Sequence, residues 1–135
     1  MNEVRYYQKN IMVVDDDPDI VMSLQELFER EGFQVTTADN GRTCLVELEK
    51  GFQGIIILDL MMPIMDGVET IKKMTIDGFT DDNIIIVLTA KRIQGEEFNE
   101  IYPYIADYVT KPFDISTLLN TVKKIAQRPP VKRRY

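Results

Sequence analysis

The chain has 135 residues, 44% of them apolar and 28% charged, a size and composition that suit one globular domain and exclude a fibrous or disordered chain. Its formal charge of -6 opposes a nucleic-acid backbone, so the folded body is not expected to bind DNA or RNA directly. Apolar runs fall well short of the ~18 residues that cross a bilayer, the single Cys44 has no partner for a disulfide, and no export signal is evident, which together predict a cytoplasmic protein without a membrane span.

Residues 1–10 read as a lead-in, 11–127 as the domain and 128–135 as a basic tail or the start of a linker. That tail holds Arg128, Lys132, Arg133 and Arg134 and no acid, leaving 12 basic against 22 acidic residues in the rest. The first apolar run, residues 11–14, predicts a strand without polar alternation, the pattern of a strand covered on both faces. Asp17-Pro18 then opens a helix whose stripe is Ile20, Val21, Leu24, Leu27 and Phe28, and Glu31-Gly32 closes it. A strand over 33–37 follows, then a helix framed by Asn40-Gly41 and Gly51 with Cys44, Leu45 and Leu48 on its apolar side. Residues 55–58 predict the third strand, and Val68, Ile71 and Met74 mark the third helix. The fourth strand falls at 84–88. The fourth helix, 91–101, is the weakest, because Gly95 lies inside it and Pro103 follows closely. A short strand at 108–110 precedes the last helix, striped by Ile115, Leu118, Leu119, Val122 and Ile125, and Pro129-Pro130 ends it. Five strands alternating with five helices, joined by right-handed crossovers, give a doubly wound α/β domain with a parallel sheet covered on both faces.

Ligands of such sheets bind beyond the carboxyl ends of the strands. There the chain places Asp15-Asp16-Asp17 after the first strand, Asp59 after the third, Thr89-Ala90 after the fourth and Thr110-Lys111-Pro112 after the fifth. Asp17, directly before Pro18, reads as a helix cap. One lysine cannot balance Asp15, Asp16 and Asp59 together, so a hard divalent cation is expected, and all-oxygen ligands with water suit Mg²⁺ or Mn²⁺. Taken singly, each residue has a plain structural reading as a turn carboxylate, a surface lysine or a strand-end hydroxyl. Their joint placement carries the functional one.

The residues Val13-Val14-Asp15-Asp16-Asp17, the run from Leu58-Asp59 to Asp66-Gly67 with Met61-Met62-Pro63-Ile64-Met65 inside it, Leu88-Thr89-Ala90 and Thr110-Lys111-Pro112-Phe113 resemble the response-regulator receiver family over about residues 11–127. Four motifs in order, spaced from Asp59 to Thr89 to Lys111, make that resemblance specific. It implies the flavodoxin-like strand order 2-1-3-4-5, for which a member of this family is a standard example. It also implies that Asp59 is a phosphoacceptor attacking a phosphohistidine on a sensor histidine kinase or phosphotransfer protein, in a signalling protein that catalyses only its own phosphoryl transfer and slow autodephosphorylation. Asp16 and Asp59 would bind Mg²⁺ directly, Asp15 largely through water, and Met61 through its backbone carbonyl. Lys111 would neutralise phosphoryl oxygens, Thr89 would bond one of them after transfer, Ala90 would keep the approach open, and Tyr108 would be the switching aromatic. The peptide bond before Pro112 is expected to be cis. An output partner or effector domain, not identifiable from the sequence, and a phosphorylation-dependent dimer are further implications.

Residues 101–107 and Gly95 depart from the family's usual pattern, which places the difference on the output face. Competing functions fit less well. A metal-dependent phosphohydrolase with an Asp nucleophile would carry a second Asp two residues on, where this chain has Met61, and Asp15 to Asp17 would repel the phosphates of a flavin or dinucleotide. A receiver fold used only for protein interaction would not need Asp16, Asp59, Thr89 and Lys111 together.

Overall fold

The computed structural model describes residues 6–90 and 95–128. Five parallel strands, β1 (Asn10–Val14), β2 (Gln34–Ala38), β3 (Ile55–Asp59), β4 (Ile84–Thr89) and β5 (Ile105–Thr110), form one sheet in the order β2-β1-β3-β4-β5. Between and after them run α1 (Pro18–Arg30), α2 (Gly41–Glu49), α3 (Gly67–Ile76), α4 (Glu96–Ile101) and α5 (Ile115–Ala126). The doubly wound α/β architecture and the strand order match the sequence expectation.

The continuous apolar runs have the expected cause. Successive strand residues point to opposite faces, and both faces are covered. Met12, Val14, Ile56, Leu58, Ile85 and Val87 meet α2, α3 and α4 through Leu48, Met74 and Ile101, among others. Ile11, Val13, Ile55, Ile57, Ile86 and Leu88 meet α1 and α5 through Phe28 and Val122. All twelve of these strand side chains are fully buried. Cys44 lies inside the first layer, where burial, aided by Glu47, pushes its thiol up to about 12, in keeping with an apolar rather than a redox role.

Helix starts follow local chemistry. Asp17, Asp66 and Asp114 each cap the following helix through a side chain that accepts a backbone N–H, and Asn40 forms a reciprocal capping box with Thr43. The expected capping role of Asp17 is thus present.

Three elements differ from the sequence reading. Gly95 is not inside α4 but immediately before it, at φ 110, a backbone conformation open chiefly to glycine; residues 91–94 of the expected helix lie outside the described residues. Strand β5 is twice as long as expected, because Ile105 and Asp107 pair with Ile85 and Ile86 of β4, with Ala106 at a shift of register between them, although this half lacks an apolar run. As an edge strand it is largely exposed, so its sequence carries no two-sided burial pattern. Phe33 precedes β2 rather than opening it, and is apolar because its ring packs on Tyr6 at 4.7 Å and edge-on to Phe28 at 6.1 Å.

The lead-in is also engaged. The amides of Tyr7 and Gln8 both donate to the Ala126 carbonyl, at 2.7 and 3.2 Å, so the start of the chain closes the last turn of α5. Of the basic tail, Arg128 donates its amide to the Ile125 carbonyl, and 129–135 lie outside the described residues.

Ile64, between β3 and α3, sits at φ 71 and is 74% exposed. A β-branched residue at positive φ is strained by about 1–2 kcal/mol, and here little packing offsets it. Ile64→Gly is therefore expected to raise stability by about 1 kcal/mol, less glycine's added freedom in the unfolded chain. Urea unfolding reads this as a higher midpoint with an unchanged slope; a lower midpoint would mean the isoleucine side chain holds the turn.

Candidate functional site

The carboxyl ends of β1, β3, β4 and β5 meet at one rim of the sheet. Asp15 follows β1, its side chain fully buried, and accepts the Asp17 amide on Oδ1 at 2.9 Å. Asp59 ends β3, its side chain 5% exposed, and accepts the Met61 amide on Oδ1 at 3.0 Å. Lys111 follows β5, where its own amide bonds the Thr89 carbonyl at 2.8 Å and continues the β4–β5 ladder. That placement sends its ammonium inward, 2.8 Å from Asp15 Oδ2 and 3.2 Å from Asp59 Oδ2. Asp16 stands exposed at the mouth. One oxygen from each of Asp15, Asp16 and Asp59 lies within 4.8 Å of the others.

The electrostatics follow from this crowding. Burial pushes the Asp59 carboxyl above the usual range, the Met61 N–H draws it back, Asp15 adds to the rise and Lys111 opposes it. Burial works against the charge of Lys111, but its bond to Asp15 and the charges of Asp15 and Asp59 outweigh that and raise its pKa. A single ammonium thus faces three carboxylates, two of them out of water. The donor set is all oxygen and compact, and the charge left unbalanced fits a divalent cation of the Mg²⁺ type.

Thr89 and Tyr108 occupy one side of the sheet. Thr89 pairs with Thr110 and Val87 with Tyr108, and paired residues of parallel strands project to the same face. Val87 belongs to the layer under α4, so Thr89 and Tyr108 both point toward α4, Thr89 buried and Tyr108 54% exposed. Ala90 is exposed and lines, with Lys111, Pro112 and Phe113, an open cavity of about 540 Å³ against Ile20 and Leu24 of α1. The Lys111–Pro112 bond is cis, as expected.

The family model described as the response regulator receiver domain matches residues 11–123. This chain belongs to the response regulator receiver family. Among relatives of the receiver domain, PhoP, the alkaline phosphatase synthesis transcriptional regulatory protein of Bacillus subtilis (strain 168), is 36% identical over 126 residues, which cover 91% of this chain and 50% of that protein. The response regulator SaeR of Staphylococcus aureus (strain USA300) is 34% identical over 127 residues, 89% of this chain and 54% of SaeR. The receiver therefore spans about half the length of the curated relatives it matches. Among solved structures, a CheY-like receiver domain protein from Methanospirillum hungatei JF-1 superposes with a TM-score of 0.81 at 34% identity, covering 87% of this chain and 93% of the other. Response regulator TrrA from Thermotoga maritima, solved in complex with Mg(2+)-BeF, superposes at 0.72 with 32% identity, covering 87% and 98%.

All the residues singled out from the sequence of this receiver domain lie at the carboxyl rim except Tyr108, which sits two residues back along β5 on the α4 side. Two contacts were not legible. Lys111 bonds Asp15 more closely than Asp59, across 96 residues of sequence, and the Met61 amide N–H bonds Asp59, a contact separate from the metal-binding carbonyl that the resemblance implies for Met61.

Proposed function

We propose that Asp59 accepts a phosphoryl group from a phosphohistidine on a sensor histidine kinase or phosphotransfer protein, and that the modified domain regulates an output partner. The observation that carries this reading is the buried Asp59 carboxylate held between the Met61 amide and the Lys111 ammonium, with Asp15 and Asp16 beside it. Asp16, Asp59 and the Met61 carbonyl would hold Mg²⁺, or Mn²⁺, with Asp15 acting through water. Bound there, the cation neutralises the carboxylates and offsets charge on the transferring phosphoryl group.

The residues do the rest. An Asp59 carboxylate oxygen attacks phosphorus through a remaining lone pair, a P–O bond forms as the P–N bond breaks, and the imidazole leaves with the bonding pair. Lys111 faces the phosphoryl oxygens, and the cavity beside exposed Ala90 leaves room for a bulky donor to approach. Catalysis is positioning and charge stabilisation, and the acyl phosphate then hydrolyses slowly in place. The family and the absence, among the described residues, of a helix long and apolar enough to cross a membrane are compatible with action in the cytoplasm. Intact-protein mass spectrometry with acetyl phosphate tests the assignment: the parent gains one phosphoryl group only when Mg²⁺ is present, and Asp59→Asn gains none. Labelling of that variant, or labelling untouched by chelator, refutes it.

The phosphoryl group also supplies the switch. It adds charge and acceptor oxygens near Thr89 and Lys111, bonds that the resting arrangement lacks. Moving such a domain from 1:99 to 99:1 needs about 5.5 kcal/mol, which two or three charge-assisted hydrogen bonds can largely supply. Thr89 would turn to the phosphoryl group, and Tyr108, on the same side of the sheet, would move into the space released beneath α4. Thr89→Ala and Tyr108→Ala are expected to accept phosphate without relaying it. NMR shifts over residues 95–113, with and without beryllofluoride and Mg²⁺, read the relay; parent-like responses in both variants would rule it out.

A further inference from the structure

We propose that Gly41, the first residue of α2, is a positioning residue for the acceptor loop, and that the N-terminus of α2 sets the Mg²⁺ affinity of the site without touching the ion. This inference rests on the phosphoacceptor reading. Residues 60–67 form a closed ring, pinned at its base by the Gly67 amide donating to the Leu60 carbonyl at 3.0 Å. Met61, whose main chain meets Asp59, lies in that ring. The far side of the ring is held from outside: the Gly41 amide donates to the Met65 carbonyl at 3.1 Å. Thr70 of α3 completes the clamp. Its fully buried hydroxyl donates to the Asp66 carbonyl at 2.6 Å and packs directly over Gly41.

No side chain fits at position 41. A Cβ there would overlap the Thr70 hydroxyl and stand 2.8 Å from the Met65 carbonyl oxygen and 2.9 Å from Met65 Cγ. The obstacles belong to the loop and to the residue that braces it, so relief requires the ring to move. The strain would be passed along the closed ring to Met61. Buried Cys44, Leu45 and Leu48 hold α2 in the core independently of the loop, so the helix end cannot simply retreat. A contact that orients a ligand-bearing segment typically controls about 10–100-fold in metal affinity.

Gly41→Ala should therefore weaken Mg²⁺ binding about tenfold by calorimetry, at a temperature where the variant is folded. In the metal-free protein, the amide shifts of residues 61–66 should already be displaced. Gly41→Ala with Thr70→Gly, which removes the nearest obstacle, should recover part of the loss. If alanine at 41 prevents folding, an ester in place of the Asn40–Gly41 amide, introduced by ligation at Cys44, removes the donated N–H without adding a side chain, at the cost of a weaker Asn40 carbonyl acceptor, and carries the same expectation. Mg²⁺ affinity within about twofold of the parent, together with a lower melting midpoint, would make Gly41 a packing residue and overturn the inference alone. A parent that does not bind Mg²⁺ would overturn both this inference and the phosphoacceptor reading.

Discussion

Lys111→Ala should lower the melting midpoint of the metal-free protein by roughly 10–20 °C, the largest stability effect expected of any substitution at the site. Two carboxylates with side chains 0% and 5% exposed share that ammonium, and alanine leaves both without a cation. Removing one partner from a buried ionic cluster costs about 3–5 kcal/mol, because the remaining charges stay out of water. The pH dependence has a definite sign. Burial holds the Asp59 carboxyl above its ordinary value of 3.8, so its ionisation opposes folding. The penalty is full above the raised value and disappears as pH falls below 3.8, where the folded and unfolded chains both carry the proton. Without Lys111 the raised value should move further up, and the variant should regain stability on mild acidification before the parent does. Mg²⁺ should stabilise the variant more than the parent, since it replaces the missing charge. A midpoint within about 2 °C of the parent's at neutral pH, on the scale of a sub-kcal change, would mean that Lys111 is not the counter-ion of Asp15 and Asp59.

Asp16→Ala should do the opposite. Asp16 stands exposed at the mouth, and its removal relieves repulsion among three carboxylates whose oxygens lie within 4.8 Å of one another. The metal-free midpoint should hold or rise slightly, because exposed substitutions usually stay within about 0.5 kcal/mol. Mg²⁺ affinity should fall by more than the about 10–100-fold typical of lost outer contacts, since the proposed reading makes Asp16 a direct ligand. Titration calorimetry and a thermal scan of the same sample read both quantities. Unchanged affinity would place the ion elsewhere, and a large metal-free loss would make Asp16 a structural residue. The two variants together would separate the proposed roles of charge at this rim: balance of the carboxylates by Lys111 when the ion is absent, and recruitment of the ion by Asp16.

Much of this site could be found before any fold was known. A parallel strand buried on both faces writes a continuous apolar run, and the residue that ends the run stands at the carboxyl edge where ligands collect. Asp15, Asp59 and Thr89 were located in that way, each directly after or at the end of such a run. The same reasoning faltered on β5. An edge strand covered on few sides can be written Ile105-Ala106-Asp107-Tyr108 without losing its ladder, so its first half left no apolar signature. Gly95 misled for a related reason: a glycine that precedes a helix at positive φ and a glycine that weakens a helix from inside read identically in sequence.

The sequence by itself determined the family, the layer architecture and which polar residues gather at the carboxyl ends of the strands, because burial periodicity and side-chain type are local properties repeated along the chain. The tertiary structure alone decided the connections between them. It decided that Lys111 reaches first to Asp15, that Tyr108 shares the α4 side with Thr89, that Tyr7 and Gln8 close α5, and that Gly41 bears on the acceptor loop. Each of these joins residues far apart in the chain. Such contacts are fixed by how packed layers bring backbones together, and the short-range pattern of residues holds no record of them.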